Sequence, residues 1–177
     1  MRSIRSSLVV TAAVLFVVSL GASAAIAAGP NIGFGFNARD VTGSPTGEVV
    51  LTGGGAFNSA AGFVHSGGGF RCATDVLQGP LAGCLAGEGV RWDTAGLLQS
   101  TPFKCTGSAT EALKTASTDD DTVVLQSDFY RAGDGNDESF HANIIVADDD
   151  IAPDVTGVQN VWVQGVGCAT AQVNFGS

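Results

Sequence analysis

Apolar and polar residues alternate with a period of two along most of this chain, the repeat of a half-buried β-strand. Ile32, Phe34 and Phe36 alternate in NIGFGFNAR. Val49, Leu51 and Phe57 lie on one parity of GEVVLTGGGAF, and Val123, Leu125 and Phe129 share a face in TVVLQSDFYR. Phe140, Ala142, Ile144 and Val146 share another in SFHANIIVA. Val161 and Val163 flank Trp162, and Ala171, Val173 and Phe175 alternate near the end. Helical signals are few. Residues 108–117 carry an N-cap serine and the helix formers Glu111, Ala112, Leu113 and Lys114, and Asp93 could cap one or two turns over 93–100. Strands without crossover helices predict an all-β domain: an antiparallel β-sandwich or small β-barrel with one or two short helices.

Two glycine triplets, TGGGAF at 52–57 and SGGGF at 66–70, flank a turn. A hairpin centred on Ala60 sets Phe57 opposite Phe63, Gly55 opposite His65 and Gly53 opposite Gly67. It leaves a zone without side chains, suited to a barrel corner or to close packing of another element. A ligand lying flat on bare backbone is the functional alternative. As a phosphate cradle, the triplet lacks the following helix and lysine.

Residues 1–28 read as a cleaved secretory signal. Arg2 and Arg5 precede an apolar run over 8–20, and Ala-x-Ala patterns end at Ala24 and Ala27. The run is shorter than the ~20 residues of a membrane-spanning helix. Residues 29–177 are then a single secreted, extracellular β domain with no membrane span. The chain has 177 residues and a net charge of -9. Without Arg2 and Arg5 its eight basic residues become six against 17 acidic, near -11. Such a surface argues against nucleic acid as a partner, because phosphate contacts need clustered Lys and Arg. The 25 glycines follow no Gly-X-Y period, which excludes collagen.

Cys72, Cys84, Cys105 and Cys168 form an even set in an exported chain, which predicts two disulfides. Zinc is the rival, but no Cys-x-x-Cys knuckle occurs. Of three possible connectivities, short-loop closure favours Cys72 with Cys84 and Cys105 with Cys168. The repeated Phe-x-Cys pattern of FRC and FKC favours Cys72 with Cys105 instead.

Acids cluster at 119–121, 134–138 and 148–154, all where turns are expected and where solvated Asp residues bond their own backbone. The functional alternative is calcium, a hard cation that takes several carboxylate and carbonyl oxygens. Asp134, Asn136, Asp137 and Glu138 of the DGNDE loop are its candidate ligands, with Gly135 free to turn and Arg131 nearby as a structural counter-charge. The loop lacks the glycine and closing glutamate of an EF-hand. Catalytic groupings are sparse: His65 and His141 are the only histidines, both in predicted strands, and neither G-x-S-x-G nor H-E-x-x-H occurs. The 17 acids single out no glycosidase pair. Trp92, Trp162 and Tyr130 read as core or rim residues rather than a sugar platform.

The segments FRC…GPLAGC…GEGVRWD…FKC, DFYRAGDGNDESF and VQNVWVQGVGC resemble a family of small exported bacterial proteins of the high-GC Gram-positive type that carry no assigned function. The resemblance spans residues 45–170 and is carried most specifically by 131–140 and 159–168. It implies a secreted, β-rich protein and no catalytic residues. The Gly-rich hairpin also resembles small barrels of the allene-oxide-cyclase and lipocalin-like kind, on Gly and Phe spacing. Together these features predict a non-enzymatic binding or cell-surface-associated protein, with a small molecule, glycan or surface protein as partner. The alternative is a small-barrel enzyme of cyclase, isomerase or hydrolase type. That alternative requires His65, Asp128 or Glu138 to line a closed apolar cavity.

Overall fold

The computed structural model describes residues 29–43, 46–133 and 137–176. The predicted signal at 1–28 lies outside the described residues. The strands, in chain order, are β1 (Ile32–Gly43), β2 (Glu48–Asn58), β3 (Phe63–Cys72), β4 (Arg91–Leu98), β5 (Ser100–Phe103) and β6 (Lys114–Ser117). They continue with β7 (Thr122–Tyr130), β8 (Phe140–Ala147), β9 (Val161–Val163), β10 (Gly167–Ala169) and β11 (Gln172–Gly176). Nine form one antiparallel sheet in the order β10-β9-β8-β7-β4-β3-β2-β1-β11, and a further β10–β1 pairing closes it into a barrel. β11 continues past β10 and pairs with the first half of β1. The chain is all-β, and closure selects the barrel over the sandwich.

Period-2 patterning builds the interior. Phe34, Phe36, Val49, Leu51, Phe57, Val123, Leu125, Phe129, Phe140, Ile144, Val161 and Val163 are all buried in one cluster. A register shift between Ala38 and Val41 turns Arg39 and Asp40 outward while both apolar neighbours stay buried.

The glycine hairpin sits one residue away from the expected register. Asn58 pairs with Phe63, Gly55 with Ser66, Gly54 with Gly67 and Gly53 with Gly68, so His65 faces Ala56. The turn holds four residues, not an odd number. The Asn58 side-chain carbonyl accepts the Ala61 amide at 2.9 Å, and Gly62 takes φ +63°. The bare zone is filled by Trp92. A Cβ at Gly53 would stand 2.5 Å from its indole Cζ2, and the indole N–H donates to the Thr52 carbonyl at 3.0 Å. Gly53 thus serves close packing of another element, while Gly54, Gly55 and Gly68 allow close approach of neighbouring strand backbone.

Neither predicted helix forms, and the described residues contain none. Residues 93–98 belong to β4, where Asp93 pairs with Asp128 and Leu97 with Leu125. Lys114–Ser117 pairs with β5. Tertiary contacts override the helix formers here: the Glu111 carboxylate accepts the Cys105 and Thr106 amides, each at 2.7 Å, and Lys114 at 2.8 Å. The β5–β6 pair covers Val124, Ile145 and Trp162 on the outside of the wall and makes a second core with Phe103 and Ala116.

Two disulfides join Cys72 to Cys84 and Cys105 to Cys168. The first holds a plug over one barrel end, formed by the loop between β3 and β4, where Val76, Leu81 and Cys84 are fully or almost fully buried in the inner core. The second ties the chain after β5 to β10. No helix of the described residues is long and apolar enough to cross a membrane.

Candidate functional site

The outer faces of β4, β7 and β8 carry the chemistry. Asp93 pairs with Asp128, and Asp128 with His141, so three titratable side chains cross the wall in one row. Their neighbours Trp92, Phe129 and Phe140 point inward and are buried, which fixes the outward parity of the row. His141 lies between two carboxylates. Its Nδ1 is 2.6 Å from Asp128 Oδ1, and its Nε2 is 3.3 Å from Glu138 Oε1. The side chain of Asp128 is 18% exposed, against 57% for His141 and 51% for Glu138. Asp128 is therefore the anchored partner, and the other two face solvent.

Glu138 arrives from the connection between β7 and β8. The Ser139 amide donates to the Phe129 carbonyl at 2.8 Å, and the Ser139 hydroxyl accepts the Arg131 amide at 3.1 Å. These bonds fix the chain on both sides of the connection. Arg91 flanks the row. It pairs with Asp93, and its guanidinium carbon stands 3.8 Å from the centre of the Tyr130 ring.

Of the predicted calcium ligands, Asp134 and Asn136 lie outside the described residues. Asp137 is exposed, and Glu138 turns toward His141. The other acid clusters meet at the opposite end of β7. Thr122 pairs with Ala147, and the Asp148 amide donates to the Asp121 carbonyl at 3.0 Å. Their carboxylates work locally: Asp119 accepts the Asp121 amide, and Asp150 accepts the amides of Ala152 and Gln159. Asp154 pairs with Lys114 at 2.8 Å. His65 is exposed on the outside of β3 beside a shallow groove with Gly67, Asp93 and Thr94. Trp92 and Trp162 are core residues, as expected.

His65, Asp128 and Glu138 thus lie on the outer surface of the wall. The barrel axis is filled by Phe34, Phe36, Phe57, Phe70, Trp92 and Phe129. An open cleft of about 490 Å³ lies at the end away from the plug, between Pro30, Ile32, Asn58, Asp120, Asp121 and Phe175.

The Asp128–His141–Glu138 grouping escaped sequence reading because it depends on hairpin register. A hairpin centred in the DGNDE segment sets residue 128 against 141, but five consecutive turn-forming residues leave the centre undefined. Comparison with protein-family models, with curated proteins and with solved structures finds no match for this chain.

Proposed function

We propose that this chain is an exported, non-enzymatic binding protein that acts through the outer face of β4, β7 and β8 and the adjoining β7–β8 connection. The observation that carries this reading is the location of the exposed His141, held between Asp128 and Glu138 on a rigid wall. Binding groups work best when a stable scaffold holds them in place. A cyclase or isomerase of barrel type needs an enclosed pocket for its substrate. Here large aromatic side chains occupy that space. Two disulfides and the predicted signal support export to an oxidising compartment, in keeping with the resemblance to small secreted bacterial proteins.

The test is amide chemical-shift mapping on the isotope-labelled mature protein against a panel of glycans, metal ions and cell-wall fragments. Perturbations clustered at Asp93, Asp128, Glu138 and His141 support the reading. Perturbations confined to the barrel axis or to the cleft beside Phe175 refute it. Intact mass of the protein from culture supernatant tests export, with removal of residues up to the Ala24–Gly29 region as the expected result.

A further inference from the structure

Three ligand-type side chains converge on the outer face with their donor atoms all within 4.8 Å of one another: Asp128, Glu138 and His141. We infer that they form a binding site for one borderline divalent cation of the zinc class. This deepens the reading of the outer face and rests on it.

The charge balance favours a cation over a bare ion-pair cluster. Asp93, the remaining member of the row, has its own partner in Arg91. Asp128 and Glu138 then set two carboxylates against one imidazole, an excess of acidic groups that a divalent ion offsets. Exposed ion pairs alone add little stability, a weak reason to gather acids in a chain of net charge -9.

The donor set decides which cation. Calcium and magnesium take oxygen ligands in number, whereas imidazole suits zinc and its neighbours. A His nitrogen with a carboxylate oxygen is an ordinary pair of zinc ligands, and two protein ligands, His141 and Glu138, leave positions open to water or to a partner's donors. The arrangement also resembles the usual outer support of a metal-bound histidine. Asp128 is the more buried carboxylate and lies against Nδ1, so it can hold that N–H and direct Nε2 toward Glu138 and the ion. Two of the three groups stand in a fixed cross-strand pair, and the third lies three residues before His141 on an anchored connection.

The experiment is calorimetric titration of tag-free mature protein, stripped with EDTA and dialysed, with zinc chloride and separately with calcium chloride. One zinc per chain is expected. Affinity should fall roughly tenfold or more in His141→Ala and in Glu138→Gln, and stay unchanged in His65→Ala. Near-UV circular dichroism of each variant should match the parent, since both replaced side chains are more than half exposed. Absence of zinc binding at millimolar concentration overturns the inference. So does zinc binding that survives both substitutions, or a preference for calcium that survives His141→Ala, which would place the ion among the DGNDE acids. If zinc fails while another probe shifts the same face, the outer-face reading stands without the metal.

Discussion

The barrel has two cores, each built around one of the chain's two tryptophans. Inside, Trp92 lies on bare glycine backbone and donates its indole N–H to the Thr52 carbonyl. Outside, Trp162 is sealed under β5–β6 and donates to the Lys104 carbonyl at 2.9 Å. The resemblance ends there. The inner core is bounded on all sides by ladder-paired strands and by the plug, so apolar burial and close approach hold it. The outer core is a two-stranded cover, and an isolated two-stranded hairpin is marginal in water. It is fastened by a disulfide, an indole hydrogen bond and a charged network. The inner core should therefore respond to changes of volume, and the outer one to reductant and pH.

The largest effect should come from filling the inner glycine zone. A Cβ at Gly68 would collide with the Thr52 carbonyl and the Gly53 Cα, both backbone. Gly96, in the neighbouring β4, has only an ordinary contact with the flexible Gln126 side chain, 3.8 Å away. Gly68→Ala should cost about 4 kcal/mol or more and abolish recovery of folded protein. Gly96→Ala should stay within about 1 kcal/mol of the parent in urea denaturation. Equal effects of the two would show that close backbone approach between β2 and β3 does not govern the inner core. Trp92→Ala, which empties the same space, should cost about 3–5 kcal/mol.

The disulfides come next. Cys105–Cys168 closes a separation of 63 residues and Cys72–Cys84 one of 12. Chain entropy alone assigns about 4 kcal/mol to the longer loop and about 3 to the shorter. Replacing Cys105 and Cys168 with Ala should thus lower stability more than replacing Cys72 and Cys84. It should also loosen the cover before the barrel melts, so acrylamide should reach Trp162 while Trp92 stays protected. If the Cys72 and Cys84 pair proves more costly, packing of the plug around Val76 and Leu81 outweighs loop length.

The same contrast explains what could be read from the sequence. Inner-core strands announce themselves by alternation, because one face meets the core and the other solvent. Runs such as VVL at 123–125, IIV at 144–146 and VWV at 161–163 also betray burial on both faces. The identity of the cover was hidden. Residues 108–117 contain good helix formers, yet Glu111 spends its carboxylate on the amides of Cys105 and Thr106, and the chain beyond it pairs with β5. Register was the other weak point. A turn of four residues at 59–62, where Phe57 opposite Phe63 requires five, moved His65 from Gly55 to Ala56, and the undefined centre of the β7–β8 connection concealed the pairing of Asp128 with His141. Both misreadings arise at turns, where local sequence allows several loop lengths and only the assembled wall chooses among them.

The smallest predicted effect, and the most specific to the cover, is on acid stability. Glu111 is buried, which by itself raises its carboxyl. Hydrogen bonds from Lys114, the Thr106 hydroxyl and the amides of Cys105 and Thr106 outweigh that and hold the group down at about 2, below its ordinary 4.5. For Lys114, burial acts to lower the ammonium, but bonds to Asp154 and Glu111 carry it above its ordinary 10.5. A carboxylate lowered on folding stabilises the protein above its unfolded value, and that contribution fades as pH falls from about 4.5 toward 2. A raised lysine contributes below 10.5 and loses its share as pH climbs past that value. Glu111→Gln keeps the volume, removes the charge and leaves Lys114 with the half-exposed Asp154. It should cost about 1–2 kcal/mol at neutral pH, and the gap to the parent should close as pH approaches 2. A gap that persists unchanged at pH 2 would assign the loss to packing against Cys105 rather than to the carboxylate's charge.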